Sequence, residues 1–205
     1  MYTFMRKMGV ERVHMVGQSR GAYLATRLTL EHPEMVRTLV LVDTSTLAPE
    51  VGDLEERRGK LLGGPPPDPR ARVRFRQQKL SCTTDHISEE FIDAAVYMDT
   101  LPEALRIKDQ FEAGGEALFN ETLADQKEET LRLISEGRLT CPTLIYWGRN
   151  DKSAVLEQGY KLFDLMAEAN PVTRMVIVNK AGHFHYREYP DEFNRVVTQF
   201  AHAWG

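Results

Sequence analysis

Three residues whose types can together activate a hydroxyl group occur in this chain, each just past an apolar, strand-like run. Gly17-Gln18-Ser19-Arg20-Gly21 fits the pattern G-x-S-x-G, which on a sharp strand-to-helix turn pushes a serine side chain into the open. A side chain at either glycine of such a turn is expected to clash. The helix start behind Ser19 favours developing negative charge, and the backbone N–H of Arg20 is expected to point at an oxyanion. Gly148-Arg149-Asn150-Asp151 follows a second run, and a carboxylate there can fix an imidazole's tautomer and stabilise its imidazolium. Ala181-Gly182-His183-Phe184 follows a third, where a loop histidine can reach back over a sheet to the serine hydroxyl. The pattern around Ser19 has only three fixed positions and means little alone; its placement between strand and helix carries the weight. The chain order of serine, acid and histidine then makes Ser19 the expected nucleophile, Asp151 the acid and His183 the base. Gln18 and Phe184, next to the nucleophile and the base, are expected to line the substrate site.

Other residues compete for these roles. Asp43 also ends an apolar run and is the alternative acid; its structural reading is loop capping with Thr44 and Ser45. His185 forms an H-x-H pair with His183, but no third ligand is indicated, so no metal is expected. His14, His32, His86 and His202 read as structural or surface histidines. Arg70, Arg72, Arg74 and Arg76 alternate with other residues. Extended, they would line one face and attract an anionic substrate; helical, they would scatter, and a solvated charge run is the favoured reading.

The elements that must hold these residues follow from periodicity. Residues 1–8 have the apolar spacing of a helix's end, with Phe4, Met5 and Met8 on one side. Residues 10–16 read as a strand, and 22–31 as a helix facing inward through Leu24, Ala25 and Leu28. His32-Pro33 closes that helix, because proline disfavours helix in the residue before it. Thr38-Leu39-Val40-Leu41-Val42 reads as a strand covered on both faces. Alternating helix and strand implies a parallel sheet with right-handed crossovers. From Leu47 to Gly137 no strand is evident. A stiff connector, Gly63-Gly64-Pro65-Pro66-Pro67-Asp68-Pro69, precedes a helix capped by Ser88 that is expected to bury Phe91, Ala94, Ala95 and Met98. Strands return at 142–147 and 172–178. Between them lies a helix over 155–167, burying Leu162, Leu165 and Met166. A last helix starts at Pro190, with Phe193, Val196, Val197, Phe200 and Trp204 on one face. Residues 1–43 and 140–205 are therefore expected to form one α/β core and 44–139 a helical lid.

The 205 residues suffice for a sizeable core. A formal net charge of −4 gives no reason to expect nucleic acid or an anionic membrane as partner. Cys82 and Cys141 make no disulfide framework and read as buried small hydrophobes of a reducing compartment. No apolar run approaches a transmembrane length, and no signal-peptide pattern opens the chain, so a cytoplasmic location is expected.

Taken together, the nucleophile motif, Leu39-Val40-Leu41-Val42-Asp43, Tyr146-Trp147-Gly148-Arg149-Asn150-Asp151 and Ala181-Gly182-His183 resemble the α/β-hydrolase superfamily. Within it, Asp191-Glu192-Phe193-Asn194-Arg195 and Ile87-Ser88-Glu89-Glu90 resemble the carbon–carbon bond hydrolases of aromatic ring-cleavage products. That resemblance implies a small-molecule substrate, a vinylogous 1,5-diketone. It is ketonised in the site and then cleaved by water to a dienoate and an acid, with no cofactor. Ester hydrolysis is the alternative, as is a non-catalytic ligand-binding role. Two positions depart from the family pattern: Phe184 stands where tryptophan is usual, and Ala95 where a lid arginine grips the substrate carboxylate. The family also carries four strands and an oxyanion-hole loop ahead of the nucleophile strand, which this chain does not supply. The chain is therefore expected to be a fragment, a processed product or half of an assembly, with homo-oligomerisation possible; a wrongly assigned start codon would serve equally. The nucleophile strand would then be an exposed edge, and one oxyanion donor would be absent.

Overall fold

The computed structural model describes residues 1–52 and 54–205. A short helix α1 (Tyr2–Lys7) leads into strand β1 (Val13–Gln18), helix α2 (Arg20–Glu31) and strand β2 (Val36–Val42). Among the described residues five α-helices follow, α3 (Leu54–Leu62), α4 (Pro69–Leu80), α5 (Glu89–Asp99), α6 (Pro102–Gln110) and α7 (Glu116–Ser135), the last two joined by a π-helical kink over Phe111–Gly115. Strand β3 (Thr143–Gly148), helix α8 (Leu156–Ala169), strand β4 (Thr173–Val178), the one-turn α9 (His185–Glu188) and α10 (Pro190–Trp204) complete the chain. The four strands form one parallel sheet in the order β1-β2-β3-β4. Among the described residues no strand lies between β2 and β3.

The sheet is covered on both faces, and strand alternation sorts the side chains between them. Leu39 and Leu41 of β2, with Ile145 and Trp147 of β3, join α2 and α8 in one core through Ala22, Ala25, Leu28, Leu162 and Met166. Val40 and Val42, with Leu144 and Tyr146, point the other way and pack with Phe200 of α10. This is why β2 is apolar at nearly every position, whereas β1, at the sheet edge, alternates. Val16 of β1 is 46% exposed, and among the described residues β1 has a strand neighbour on one side only.

Several inward faces differ from the periodicity reading. Met5 is buried, but Phe4 and Met8 are exposed; on α2, Leu24 is exposed beside the buried Ala25 and Leu28. On α5 the fully buried residue is Ile92, while Ala94 and Met98 lie outward and Phe91 is only half-buried. The expected stripe of that helix was rotated by about a third of a turn, because Phe91 serves instead as a platform for the Arg187 guanidinium, 3.8 Å from its ring centre. Ser88 does cap α5, accepting the Phe91 N–H at 3.2 Å. Asp68 caps α4 in the same way with the Ala71 N–H at 2.8 Å, ahead of Pro69 in the first turn. Cys141 is buried, its thiol pushed up to about 11 by desolvation, but Cys82 is exposed in the α4–α5 loop rather than buried. The last turns of α7 return to the first core through Ile134.

Candidate active site

Register places the chemistry. Gln18, Val42 and Tyr146 are paired neighbours on three adjacent strands, and Gly148 pairs with Val178 on the fourth. The residues that follow, Ser19, Asp43, the 149–151 turn and the loop to His183, therefore gather along the carboxyl edge of one sheet, where open α/β sheets hold their ligands. Backbone bonds continue the ladder into these loops: Ser19 N–H to Val42 O (2.8 Å), Asp43 N–H to Tyr146 O (3.2 Å) and Arg149 N–H to Val178 O (2.9 Å).

Ser19 sits at φ 54°, ψ −122°, a left-handed conformation rare for a residue with a side chain. Strain of this kind costs on the order of 1–3 kcal/mol and persists only where surrounding structure enforces it. Here the enforcement comes from the contact between β1 and α2. A Cβ at Gly17 would lie 2.5 Å from both Ala22 Cα and Gly21 O, so no side chain fits there. Gly21 differs from the expectation: a Cβ there would meet nothing within 4 Å. One glycine of the pattern is demanded by space and the other is not. Arg20 opens α2, so its backbone N–H is among the first-turn donors without an intrahelical acceptor. Its guanidinium turns away to lie 4.7 Å over the Phe119 ring.

His183 and Asp151 meet directly. Nδ1 of His183 stands 2.6 Å from Oδ2 of Asp151, and both side chains are almost wholly buried. The other oxygen, Oδ1, accepts three hydrogen bonds: from Ser153 N–H (2.7 Å), Ser153 Oγ–H (2.8 Å) and Ala154 N–H (2.9 Å). Trp147 pins the same turn, its indole N–H donating to Ala154 O at 2.9 Å. The histidine loop is held as firmly. His183 N–H donates to Leu80 O (2.7 Å), and Gln18 Nε2 donates to His183 O (3.2 Å). Glu188 binds the N–H groups of Gly182, Cys82 and Thr83, each at 2.8 Å, tying the base loop to the α4–α5 loop.

Ser19 and His183 face one cavity of about 430 Å³, whose walls also include Gln18, Arg20, Arg76 and Phe184. Every residue expected at the site is therefore in it or directly behind it. Among the described residues Ser19 makes no hydrogen bond to His183; in unliganded enzymes such contacts are often long and tighten when substrate enters.

The rivals separate cleanly. Asp43 is fully buried and caps no loop with its own carboxylate: Oδ1 accepts the Gly148 N–H at 2.8 Å, and Oδ2 lies 2.8 Å from Nε2 of His185, off the N–H direction. The H-x-H pair is thus split between two carboxyl groups. Burial, with Asp151 adding like charge, holds Asp43 well above the usual carboxylate range; burial also lowers His185 to about 4. Asp43, Asp151 and His183 each offer a ligand-type atom within 4.8 Å of the others. Both Asp151 oxygens are already hydrogen-bonded, so this cluster fits an acid–imidazole site better than a cation site.

Three contributors escaped the sequence reading. The arginine run is helical and does scatter: Arg70 and Arg74 pair with Glu89, and Arg72 binds the carbonyls of Pro66 and Pro67. Arg76, however, reaches the cavity. Ser153 had a legible signal, since a serine two residues after an aspartate can close a local turn on it. Glu188 had none.

The sequence model of a family described as "alpha/beta hydrolase fold" matches residues 1–189. The 2-hydroxy-6-oxononadienedioate/2-hydroxy-6-oxononatrienedioate hydrolase of Cupriavidus pinatubonensis is 28% identical over 200 residues, covering 95% of this chain and 63% of that protein. The 2-hydroxy-6-oxo-6-phenylhexa-2,4-dienoate hydrolase of Burkholderia cepacia is 26% identical over 205 residues, covering 96% and 65%. Among solved structures, the meta-cleavage product hydrolase of Pseudomonas fluorescens IP01 superposes with a TM-score of 0.69 at 19% identity, over 98% of this chain and 69% of that one. The 2-hydroxy-6-oxo-6-phenylhexa-2,4-dienoate hydrolase of Rhodococcus sp. strain RHA1 gives 0.70 at 23%, over 96% and 66%. These structures share the fold. The chain spans about 63% to 65% of the length of these curated relatives.

Proposed function

The chain belongs to the α/β-hydrolase fold family, and from that premise we propose that it carries the catalytic serine, acid and histidine of a carbon–carbon bond hydrolase. Its substrate is a vinylogous 1,5-diketone made by aromatic ring cleavage. The observation that carries this reading is the 2.6 Å contact between His183 and Asp151, opening on the same cavity as Ser19. The curated relatives named for this substrate class support the choice of reaction.

In the proposed reaction His183 moves protons while Asp151 holds its tautomer and stabilises the imidazolium. After ketonisation of the dienol, the elements of water add across the bond to be broken. Hydroxide ends on the carbonyl carbon, giving the acid; a proton ends on the departing carbon, giving the dienoate. Addition proceeds through an acyl group on Ser19 or through a gem-diol that Ser19 positions, and the Arg20 N–H receives the oxyanion. Gln18 keeps the base loop in place, and Phe184 walls the substrate. Arg76 supplies the cation for a substrate carboxylate, the part for which the family's lid position offers only Ala95. Residues 44–139 serve as the lid over a core formed by 1–43 and 140–205. Among the described residues no helix is long and apolar enough to cross a membrane; two free cysteines suit a reducing compartment.

The test is covalent labelling by a fluorophosphonate probe, read by intact mass, followed by turnover of a 2-hydroxy-6-oxo-dienedioate. One adduct, lost in Ser19→Ala, is expected. Arg76→Ala should keep the adduct and raise KM for the dianionic substrate about tenfold, the loss of one charge-assisted contact. A folded chain that takes no adduct overturns the reading.

A further inference from the structure

Two carboxyl groups, not one, stand against the catalytic imidazole. Asp43 ends β2 as Asp151 follows β3, and one oxygen from each lies within 4.8 Å of a His183 ring nitrogen and of the other. Asp43 is held in a left-handed conformation at φ 43°, a strain its surroundings must maintain. Its side chain is 0% exposed. The two groups are satisfied unequally. Among the described residues Asp151 receives three hydrogen bonds on Oδ1 and the imidazole on Oδ2, whereas Asp43 receives the Gly148 N–H on Oδ1, and its buried Oδ2 faces His185 Nε2 at 2.8 Å without a hydrogen bond. A buried carboxyl oxygen that faces an imidazole at 2.8 Å without a hydrogen bond is costly unless the group carries or can exchange a proton.

Resting on the proposed triad, we propose that Asp43 is a positioning residue of the same reaction: the second carboxyl group of a two-acid site, which takes over the His183 imidazolium when Asp151 is lost. In the intact site two like charges this close in a buried setting do not both ionise. Asp151, with more donors, takes the charge, and Asp43 keeps its proton beside His185. Asp43 then acts through the backbone, since its bond to Gly148 fixes the start of the turn that presents Asp151. Removing the Asp151 charge removes the nearest repulsion. Asp43 releases its proton to solvent, and its carboxylate faces the imidazolium formed when His183 accepts the Ser19 proton. The charged and titratable groups around Asp43, among the described residues, are Asp151, His183, His185, Glu188, Tyr146 and Tyr186.

The experiment measures the rate of fluorophosphonate labelling at Ser19 for four proteins: wild type, Asp151→Asn, Asp43→Asn and the double variant. Asparagine at 43 keeps an acceptor for the Gly148 N–H. A triad with a single acid loses about 10⁴-fold when that acid becomes an amide; here Asp151→Asn alone is expected to lose no more than about 10²-fold. Asp43→Asn is expected to cost less than about threefold in the wild-type background and more than about tenfold in the Asp151→Asn background, a coupling that independent sites do not show. A purely structural Asp43 would lower both backgrounds equally, which overturns the proposal. So does a full 10⁴-fold loss in Asp151→Asn alone, which needs no double variant to be folded. A wild-type chain that takes no label overturns the catalytic reading itself, and this inference with it.

Discussion

The molecule contains two histidine–aspartate pairs two residues apart on the same loop, and they are built oppositely. His183 borders the cavity, edge-on to Phe184 with ring centres 5.3 Å apart, and its acid is fully hydrogen-bonded. His185 is 1% exposed behind it, tilted against Tyr146 at 4.8 Å and near Phe193 at 6.2 Å, and among the described residues its acid has one hydrogen-bond donor. The first pair spends its hydrogen bonds on holding a charge where it can act. The second sits beside Tyr146, whose own hydroxyl is pushed up to about 12 by burial, and it is held neutral. Identical residue types thus acquire different chemistry from solvation and donor count alone.

The largest expected effect that tests this contrast comes from exchanging the histidines one at a time. His183→Ala should slow Ser19 labelling by about 10³-fold or more, the loss typical of a general base within a triad. His185→Gln should slow it by less than about tenfold. Equal losses would show that the pairs work as one unit.

A smaller effect is expected in the pH dependence of stability. His185 titrates near 4 in the fold, against about 6.5 in an unfolded chain. Between those values the unfolded state binds the extra proton, so stability falls as pH drops from 6.5 towards 4. Asp43 has the opposite sign: its contribution is complete below the ordinary carboxylate value and is lost as pH rises through its raised one. The two contributions oppose each other in wild-type melting temperatures from pH 4 to 8, so the His185 part is read as a difference: wild type minus His185→Gln should fall as pH drops from 6.5 towards 4.

The smallest expected effect is on the acid's own support. Ser153→Ala removes one of three donors to Asp151 Oδ1 and should cost about 1–2 kcal/mol in denaturant unfolding. Labelling should slow only a few-fold, since two backbone donors remain. A 10³-fold loss would mean that the serine hydroxyl, not the backbone, orients the acid.

Much of this was legible in the sequence because it is local. The alternation of strands and helices, the Ser88 cap and the sharp turn at Ser19 each depend on residues within a few positions, and the order of serine, acid and histidine rests on three such local patterns. Apolar strands covered on both faces were legible for the same reason. The inward faces of α2 and α5 were less so, because a helix surface can be apolar without being turned to the core, as Leu24 and Met98 are.

The sequence by itself determined which residues follow strands, and a parallel sheet carries strand ends to one edge; that is why Ser19, Asp151 and His183 could be expected at that edge together. Only the tertiary structure decided which carboxylate meets which imidazole. Asp43 and Asp151 are equivalent as strand-end acids, and His183 and His185 as loop histidines. The pairing follows from register and from the backbone donors around each oxygen, which lie as far apart in sequence as Gly148 from Asp43. Likewise, a run of alternating arginines reads as one surface feature. Folding it as a helix sends Arg70 and Arg74 to Glu89 and Arg76 to the cavity, because side chains at a helical period of 3.6 diverge where those of a strand would align.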